Sequence, residues 1–337
     1  MIVGYILKRL LLAIFTLLTI LLVSYTLLRL APGDPTKSDM LSGESGTINR
    51  RDGITSGNQA MREKLNLDKP LLIGFALWLK DVCHGNFGQS VSVDPGRDVT
   101  EIISEKIGLT VKLNLWALLI TYLLAVTIGV LTANAAGSFA DRSAEIILFI
   151  LYSLPVMWVG LLLQSLFCEG GQFPVFPLSG DEPDNAMNLS IWAYMAAQFR
   201  HLLLPVICLS YGGLAGLSRY TRNSVLQNIN SDYIRTARAK GLSGSAVLWK
   251  HAFRNALITM ITLISGILPS LISGSIIVEY IFNLPGMGTL SLLALSSRDY
   301  PLQMALFTIA GTLTLIGILL SDLLYMAADP RIRLTKH

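Results

Sequence analysis

The chain has 337 residues, of which 52% are hydrophobic and only 14% charged, with a formal net charge of +4. A soluble domain carries about 25% charged residues, so nearly half of the usual charge is missing. What remains crowds into a few segments separated by apolar runs of about 20 residues, the length a helix needs to cross hydrocarbon. That pattern excludes an ordinary soluble enzyme and predicts an all-α integral membrane protein.

Six apolar segments follow one another at about 10–28, 109–131, 146–167, 202–217, 256–280 and 302–327. The first has Lys8 and Arg9 before it, as a signal peptide would. It is longer than a typical signal core, however, and Leu30-Ala31-Pro32-Gly33-Asp34-Pro35 offers no cleavage site of small residues, so it is read as a retained span. The stretch after it, 32–108, is read as an extracytoplasmic loop in which 43–57, rich in Gly, Ser and Thr, is a flexible insertion. Within that loop 71–79 is too short to span and is expected to pack on the outer membrane surface. Segment 146–167 holds Pro155, read first as a kink whose freed carbonyl is satisfied by neighbours, and second as a residue shaping a transport pathway. Residues 187–199, with Trp192 and Tyr194, are expected at the headgroup level. Segment 202–217 is short and interrupted by Gly212, Gly213 and Gly216, which let neighbouring helices come close.

Lys and Arg near span ends set orientation. Residues 219–255 carry Arg219, Arg222, Arg235, Arg238, Lys240, Lys250 and Arg254 against one acid, Asp232. The C-terminal tail adds Arg331, Arg333 and Lys336. Placing these together with Lys8 and Arg9 on one side requires an even number of spans, and six spans with both termini cytoplasmic satisfies it. The chain thus divides into 1–31, the N-terminus and first span; 32–108, the outer loop; and 109–337, a five-span core with a cytoplasmic loop at 219–255. The three cysteines, Cys83, Cys168 and Cys208, lack metal-type spacing. A disulfide between Cys83 and Cys168 stays open, because pairing is not legible in a sequence.

In the cytoplasmic loop, Ser231 to Gly241 reads as a short capped helix. Ser231 or Asp232 can accept from free N–H groups of the first turn, Arg238 and Lys240 suit the C-terminal dipole, and Gly241 suits a left-handed C′ position. Leu242-Ser243 is then a turn, with Ser243 capping a second helix that runs into the fifth span. Ile234, Ala237 and Gly241 share one side. That small apolar face flanked by arginines is expected to insert into a groove on a partner. An ordinary positive-inside loop with incidental helicity accounts for the same composition.

Asp232-Tyr233-Ile234-Arg235-Thr236-Ala237-Arg238-Ala239-Lys240-Gly241, followed by Trp249-Lys250-His251-Ala252-Phe253-Arg254-Asn255-Ala256-Leu257, resembles the coupling loop of ABC-importer membrane subunits. More narrowly, it resembles the B-type subunits of dipeptide and oligopeptide importers in the peptide/nickel family. The general motif, Glu-Ala-Ala, three residues, then Gly, falls on Arg235-Thr236-Ala237 and Gly241. Ala31-Pro32-Gly33-Asp34-Pro35, Leu65-Asn66-Leu67-Asp68-Lys69-Pro70, Gly85-Asn86-Phe87-Gly88-Gln89-Ser90 and Ser153-Leu154-Pro155-Val156-Met157-Trp158 are similar to motifs of the same family. So are Glu279-Tyr280-Ile281-Phe282-Asn283-Leu284-Pro285-Gly286-Met287-Gly288, Arg298-Asp299-Tyr300-Pro301 and Asp329-Pro330-Arg331-Ile332. The 43–57 insertion and the Arg-Asp-Tyr-Pro run look closest to the branch that imports oligopeptides and microcin-type antibiotics.

The resemblance implies a type I ABC-importer permease in a bacterial inner membrane, moving peptides and without catalysis of its own. It implies a second permease, two ATP-binding subunits that bind ATP and Mg, an extracytoplasmic substrate-binding protein, surrounding lipid and no nucleic acid. It assigns ATPase coupling to Arg235, Thr236, Ala237, Arg238 and Gly241. Pro155, Glu279, Pro285 and Gly286 are candidates for the pathway or for binding-protein contact, with Glu279 equally readable as a solvated interfacial acid. Gly241 carries a structural and a coupling reading of equal weight. A nickel chelate or glutathione is the alternative cargo. Two rivals from other classes fit less well. An ion-coupled transporter needs ionisable groups at mid-span, whereas Arg29, Lys112, Glu279 and Asp322 lie near span ends. An intramembrane or self-powered ATP-hydrolysing enzyme lacks its motifs, since no Gly-x-x-x-x-Gly-Lys-Ser/Thr occurs.

Overall fold

The computed structural model describes residues 2–30, 62–63, 66, 68–183, 189–260 and 266–328. The 43–57 insertion, the 31–35 motif and the residues from 329 onward lie outside the described residues. Twelve helices are named here: α1 (Ile2–Leu30), α2 (Leu71–Cys83), α3 (Val99–Asn134), α4 (Phe139–Ser153), α5 (Val156–Phe167), α6 (Ile191–Ile229), α7 (Asp232–Ala239), α8 (Arg254–Met260), α9 (Ile267–Ser273), α10 (Ile276–Ile281), α11 (Met287–Ser296) and α12 (Tyr300–Ala328). Between α7 and α8 a short turn, Gly244–Ala246, leads into a π-helix, Val247–Phe253. Among the described residues there is no strand, only isolated bridges.

By length and apolarity, α1, α3, α6 and α12 can each cross a membrane. The pair α4 and α5 makes a fifth candidate, bent by 92° at a two-residue break. Large apolar side chains stand exposed along these helices: Leu11, Phe15 and Leu27 on α1, Leu119 and Leu123 on α3, Phe149 and Ile150 on α4. In water such surfaces would be an aggregation liability; in lipid they are the solvated face. The expected fifth span is partly outside the described residues. Its described portion is not one continuous helix to residue 280, because Gly274 takes φ +69° and Ser275 is extended, separating α9 from α10.

The 202–217 segment is longer than expected. It belongs to α6, a 39-residue helix about 58 Å long at 1.5 Å per residue. From Ile191 the 187–199 region is the first part of α6, and residues 187 and 188 lie outside the described residues. Neither Pro205 nor the glycines break the helix, because Leu202, Leu204, Pro205, Val206 and Cys208 are buried by neighbours there and packing overrides weak local propensity.

The chain divides into two compact units, residues 1–107 with 290–315 and residues 108–289 with 316–337. In the first, α2 packs on α1 through an aromatic cluster of Tyr25, Phe75 and Trp78, with ring centroids 5.7–6.2 Å apart. Leu72 and Ile73 of α2 remain exposed. In the second, Leu109, Leu113 and Ala117 of α3, Leu204 and Cys208 of α6, and Val278 and Phe282 at α10 form one apolar core, with Val156, Val159 and Leu163 of α5 packed against it. The crossing of α3 on α6 is close at Gly129, where an added Cβ would lie 2.6 Å from the Ser218 carbonyl oxygen and 2.7 Å from Thr221 Cβ. Gly129→Ala is therefore expected to lower stability by about 1–3 kcal/mol through overpacking, despite the helix propensity of alanine, measured as thermal unfolding in detergent. An unchanged midpoint would remove the close-packing argument.

All three cysteines are free. Cys168 is buried just past the end of α5. That burial, with Glu169 alongside, pushes its thiol above the usual range, which disfavours the reactive thiolate.

Candidate functional site

The segment singled out in the sequence folds as a capped helix with its ends specified locally. Ser231 occupies the N-cap position of α7 with extended backbone, but its side chain does not accept from the first turn. Its Oγ instead donates to the Asn228 carbonyl at 2.6 Å, which ties the start of α7 to the end of α6. The C-terminus closes as a Schellman motif: Gly241 N–H donates to Arg238 O at 3.0 Å and Leu242 N–H to Ala237 O at 3.4 Å. Gly241 sits at φ +76°, the left-handed conformation that glycine adopts without a Cβ penalty. Ser243 caps the following turn, accepting from Ala246 N–H at 3.3 Å.

The helix presents the opposite side from the one its apolar pattern suggested. Ile234 and Ala237 are buried in the chain itself, against Val130 and Ala133 of α3, Val225 of α6, and Val247, Leu248, Ala252 and Ala256 beyond. Ala237 therefore needs to be small for the chain's own packing, and its expected insertion into a partner's groove is corrected on that ground. Arg235, Thr236, Arg238, Lys240 and Gly241 are exposed. Arg235 meets Asp232 at 3.6 Å, but both side chains are largely in solvent, where such a pair is worth little. The result is a basic surface on a helix whose other face is fixed to three neighbouring elements.

A second cluster surrounds Glu279, and it too departs from expectation. Glu279 is 2% exposed, so it is not a solvated interfacial acid. Its carboxylate accepts from Thr110 Oγ1 at 3.2 Å, Ser275 N–H at 3.3 Å and Thr289 N–H at 2.9 Å. Thr110 Oγ1 accepts in turn from Met287 N–H at 2.8 Å. The turn they hold begins with Asn283 at φ +49°, where Leu284 N–H closes onto Glu279 O at 2.8 Å. Gly286 is buried here, and a Cβ on it would come 2.6 Å from both the Glu279 carboxylate and Thr110 Oγ1. Pro285 is exposed at the crest of the turn. Of the predicted group, Glu279 and Gly286 are brought together as its frame and Pro285 as its surface.

Pro155 lies apart from that turn, in the α4–α5 break. It is the N-cap of α5, with φ −62° and ψ 131°, and Leu154 before it is extended as well. A two-residue break thus replaces the kink expected there. The Leu154 carbonyl exposed by the break accepts from Tyr211 Oη on α6 at 2.9 Å. Tyr211→Phe is expected to cost about 1 kcal/mol of stability, the usual net worth of one hydrogen bond, read as a modest drop in the detergent unfolding midpoint. No drop would mean that water satisfies the carbonyl equally well.

Sequence reasoning missed two ionic sites. Arg222, read there only as a positive-inside charge, makes a bidentate pair with Asp141, Nε to Oδ1 and Nη2 to Oδ2 both at 2.8 Å, and reaches Glu145 at 3.4 Å. Asp141 also accepts from Gly137 N–H at 2.8 Å. In the first unit, Asp299 is wholly buried and accepts from Ser90 Oγ and from the N–H groups of Val91, Ser92 and Val93 at 3.0–3.1 Å. Two of the quoted motifs, ending in Ser90 and containing Asp299, are therefore one structure. No periodicity marks either pairing, since the partners lie 81 and 209 residues apart.

Residues 125–334 match the family model of the binding-protein-dependent transport system inner membrane component. The chain is 36% identical to the oligopeptide transport system permease protein AppB of Bacillus subtilis, over 98% of this chain and 99% of that protein. It is 33% identical to the peptidoglycan transport system permease protein YejB of Agrobacterium fabrum, over 98% of each chain. It is 30% identical to the dipeptide transport system permease protein DppB of Alkalihalophilus pseudofirmus, over 98% of this chain and 99% of that protein. The matched region contains α7 and its basic surface, and the relatives cover nearly the whole length, so this multi-pass chain belongs to the family of inner-membrane permease components of binding-protein-dependent ABC transport systems.

Proposed function

We propose that the chain is the peptide-translocating permease of an ATP-driven importer and that α7 is its coupling helix. In this reading the pore is completed by a second permease, two ATP-binding subunits hold ATP and Mg, and a substrate-binding protein delivers cargo from outside. The chain catalyses nothing itself. It crosses the membrane six times with both termini in the cytoplasm, which puts α7 on the side where ATP is. Peptides are the cargo because the relatives of near-equal length carry oligopeptide, dipeptide and peptidoglycan transport in their names.

The observation that carries the reading is the two-faced construction of α7. Ile234 and Ala237 lock it to α3, α6 and the π-helix, while Arg235, Thr236, Arg238 and Gly241 face outward. A helix fixed this way moves as a rigid body with its scaffold, which is what transmission of a partner's movement to a pore requires. The test is purification of the tagged chain in mild detergent with identification of co-eluting proteins. An ATP-binding subunit and a second permease are expected. Repeated preparations without an ATPase, or uptake abolished by a proton uncoupler at constant ATP, would favour an ion-coupled carrier instead.

A further inference from the structure

The helix α4 is held in the second unit by polar pins, and this bears on how movement reaches the bent segment. Among its described residues Asp141 alone is fully buried; Ile146, Ile147, Phe149, Ile150 and Tyr152 are exposed. Its chief neighbour is α6, which it meets at both ends. At one end Arg222 grips Asp141 through two bonds of 2.8 Å, and at the other Tyr211 Oη donates to Leu154 O at 2.9 Å. These pins lie about 20 Å apart along α4. Beside them a cavity of about 440 Å³ is lined by Thr132 of α3, Glu145, Phe149 and Tyr152 of α4, and Gly216 and Arg219 of α6 among others.

Arg222 lies one helical turn from Val225, and Val225 is fully buried in the cluster that anchors Ile234 and Ala237 of α7. A displacement of α7 therefore reaches the ends of α3 and α6 directly, and from α6 the Arg222–Asp141 pair carries it to α4. We infer that Asp141 and Arg222 are positioning residues that transmit movement of the coupling helix to α4 and so to the 92° bend at Leu154–Pro155. The inference rests on the coupling role proposed for α7. A bidentate guanidinium–carboxylate pair suits the task, because two parallel bonds fix orientation as well as distance.

The test uses the whole complex, purified through a tag on this chain and reconstituted into liposomes with its substrate-binding protein. ATP hydrolysis and uptake of labelled tri-alanine are measured on the same vesicles. Asp141→Asn keeps the size of the side chain and removes its charge; uptake is expected to fall at least tenfold while ATP hydrolysis stays within twofold of the parent. Arg222→Lys, which keeps the charge but not the fork, is expected between the two. The exchange Asp141→Arg with Arg222→Asp is expected to recover part of the uptake. Normal uptake by Asp141→Asn overturns the inference, as does a parallel fall of uptake and hydrolysis in an intact complex. Loss of the chain from the membrane that the exchange does not repair overturns it as well, since the pair is then only structural. A parent complex without ATPase activity removes the coupling proposal itself, an outcome distinct from any of these.

Discussion

Gly241→Glu abolishes uptake, with the chain still inserted and in normal amount: this is the largest effect expected of a single substitution at the surface. Nothing lies within 4 Å of where a Cβ would stand, so the variant is not blocked by packing. Its local cost is that of a non-glycine residue at φ +76°, about 1–2 kcal/mol, too little to unfold a helix anchored by Ile234, whose burial alone contributes about 1.5–3 kcal/mol. The new carboxylate sits beside Arg238 and Lys240 and puts a negative charge into the basic surface that α7 presents. Gly241→Ala separates the two readings of this residue. It has the same backbone strain without the charge, and if strain were the whole cause both variants would fail equally. Uptake retained largely by Ala and lost by Glu supports the coupling surface. Parental uptake by Gly241→Glu would falsify it.

The second large effect is expected at Glu279. Glu279→Ala leaves Ser275 N–H, Thr289 N–H and Thr110 Oγ1 without their common acceptor and opens a void under Gly286. A buried donor left without its acceptor costs about 1–3 kcal/mol, so with three of them a loss of at least about 3 kcal/mol is expected, enough to reduce the amount of folded chain in membranes. Glu279→Gln preserves the shape and one acceptor oxygen, which can still serve Thr110 Oγ1 and Ser275 N–H, while its NH2 faces the Thr289 N–H; it is expected to cost less than Glu279→Ala. The measurement is the unfolding midpoint in detergent, with Pro285→Ala as a control at the exposed crest of the same turn. Equal midpoints for Glu279→Ala and Pro285→Ala would return Glu279 to the role of a surface acid.

The sites separate by what kind of physics defines them. Caps and turns depend on a few adjacent residues, which is why Gly241 in the left-handed conformation and Ser243 at an N-cap were legible from the chain alone. Ser231 was half legible: its position is the expected one, but its hydroxyl had two partners in reach and the nearby Asn228 carbonyl won. The long apolar runs also announced themselves, because helix length and hydropathy are local sums. Their ends did not. The continuation of α6 from Ile191 to Ile229 and the break at Gly274 depend on what packs alongside.

By itself, then, the sequence determined that this is a helical membrane protein with a basic, capped helix between two spans, since composition, periodicity and capping act within a few residues of one another. Only the tertiary structure decided which side of that helix is free, because the same apolar stripe at Ile234 and Ala237 serves a partner or the chain's own core equally well until Val130, Val225 and Ala252 are seen to fill the space against it. It likewise decided that Glu279 is buried and that Arg222 belongs to Asp141. Charges find partners through space, at distances along the chain that no local pattern records.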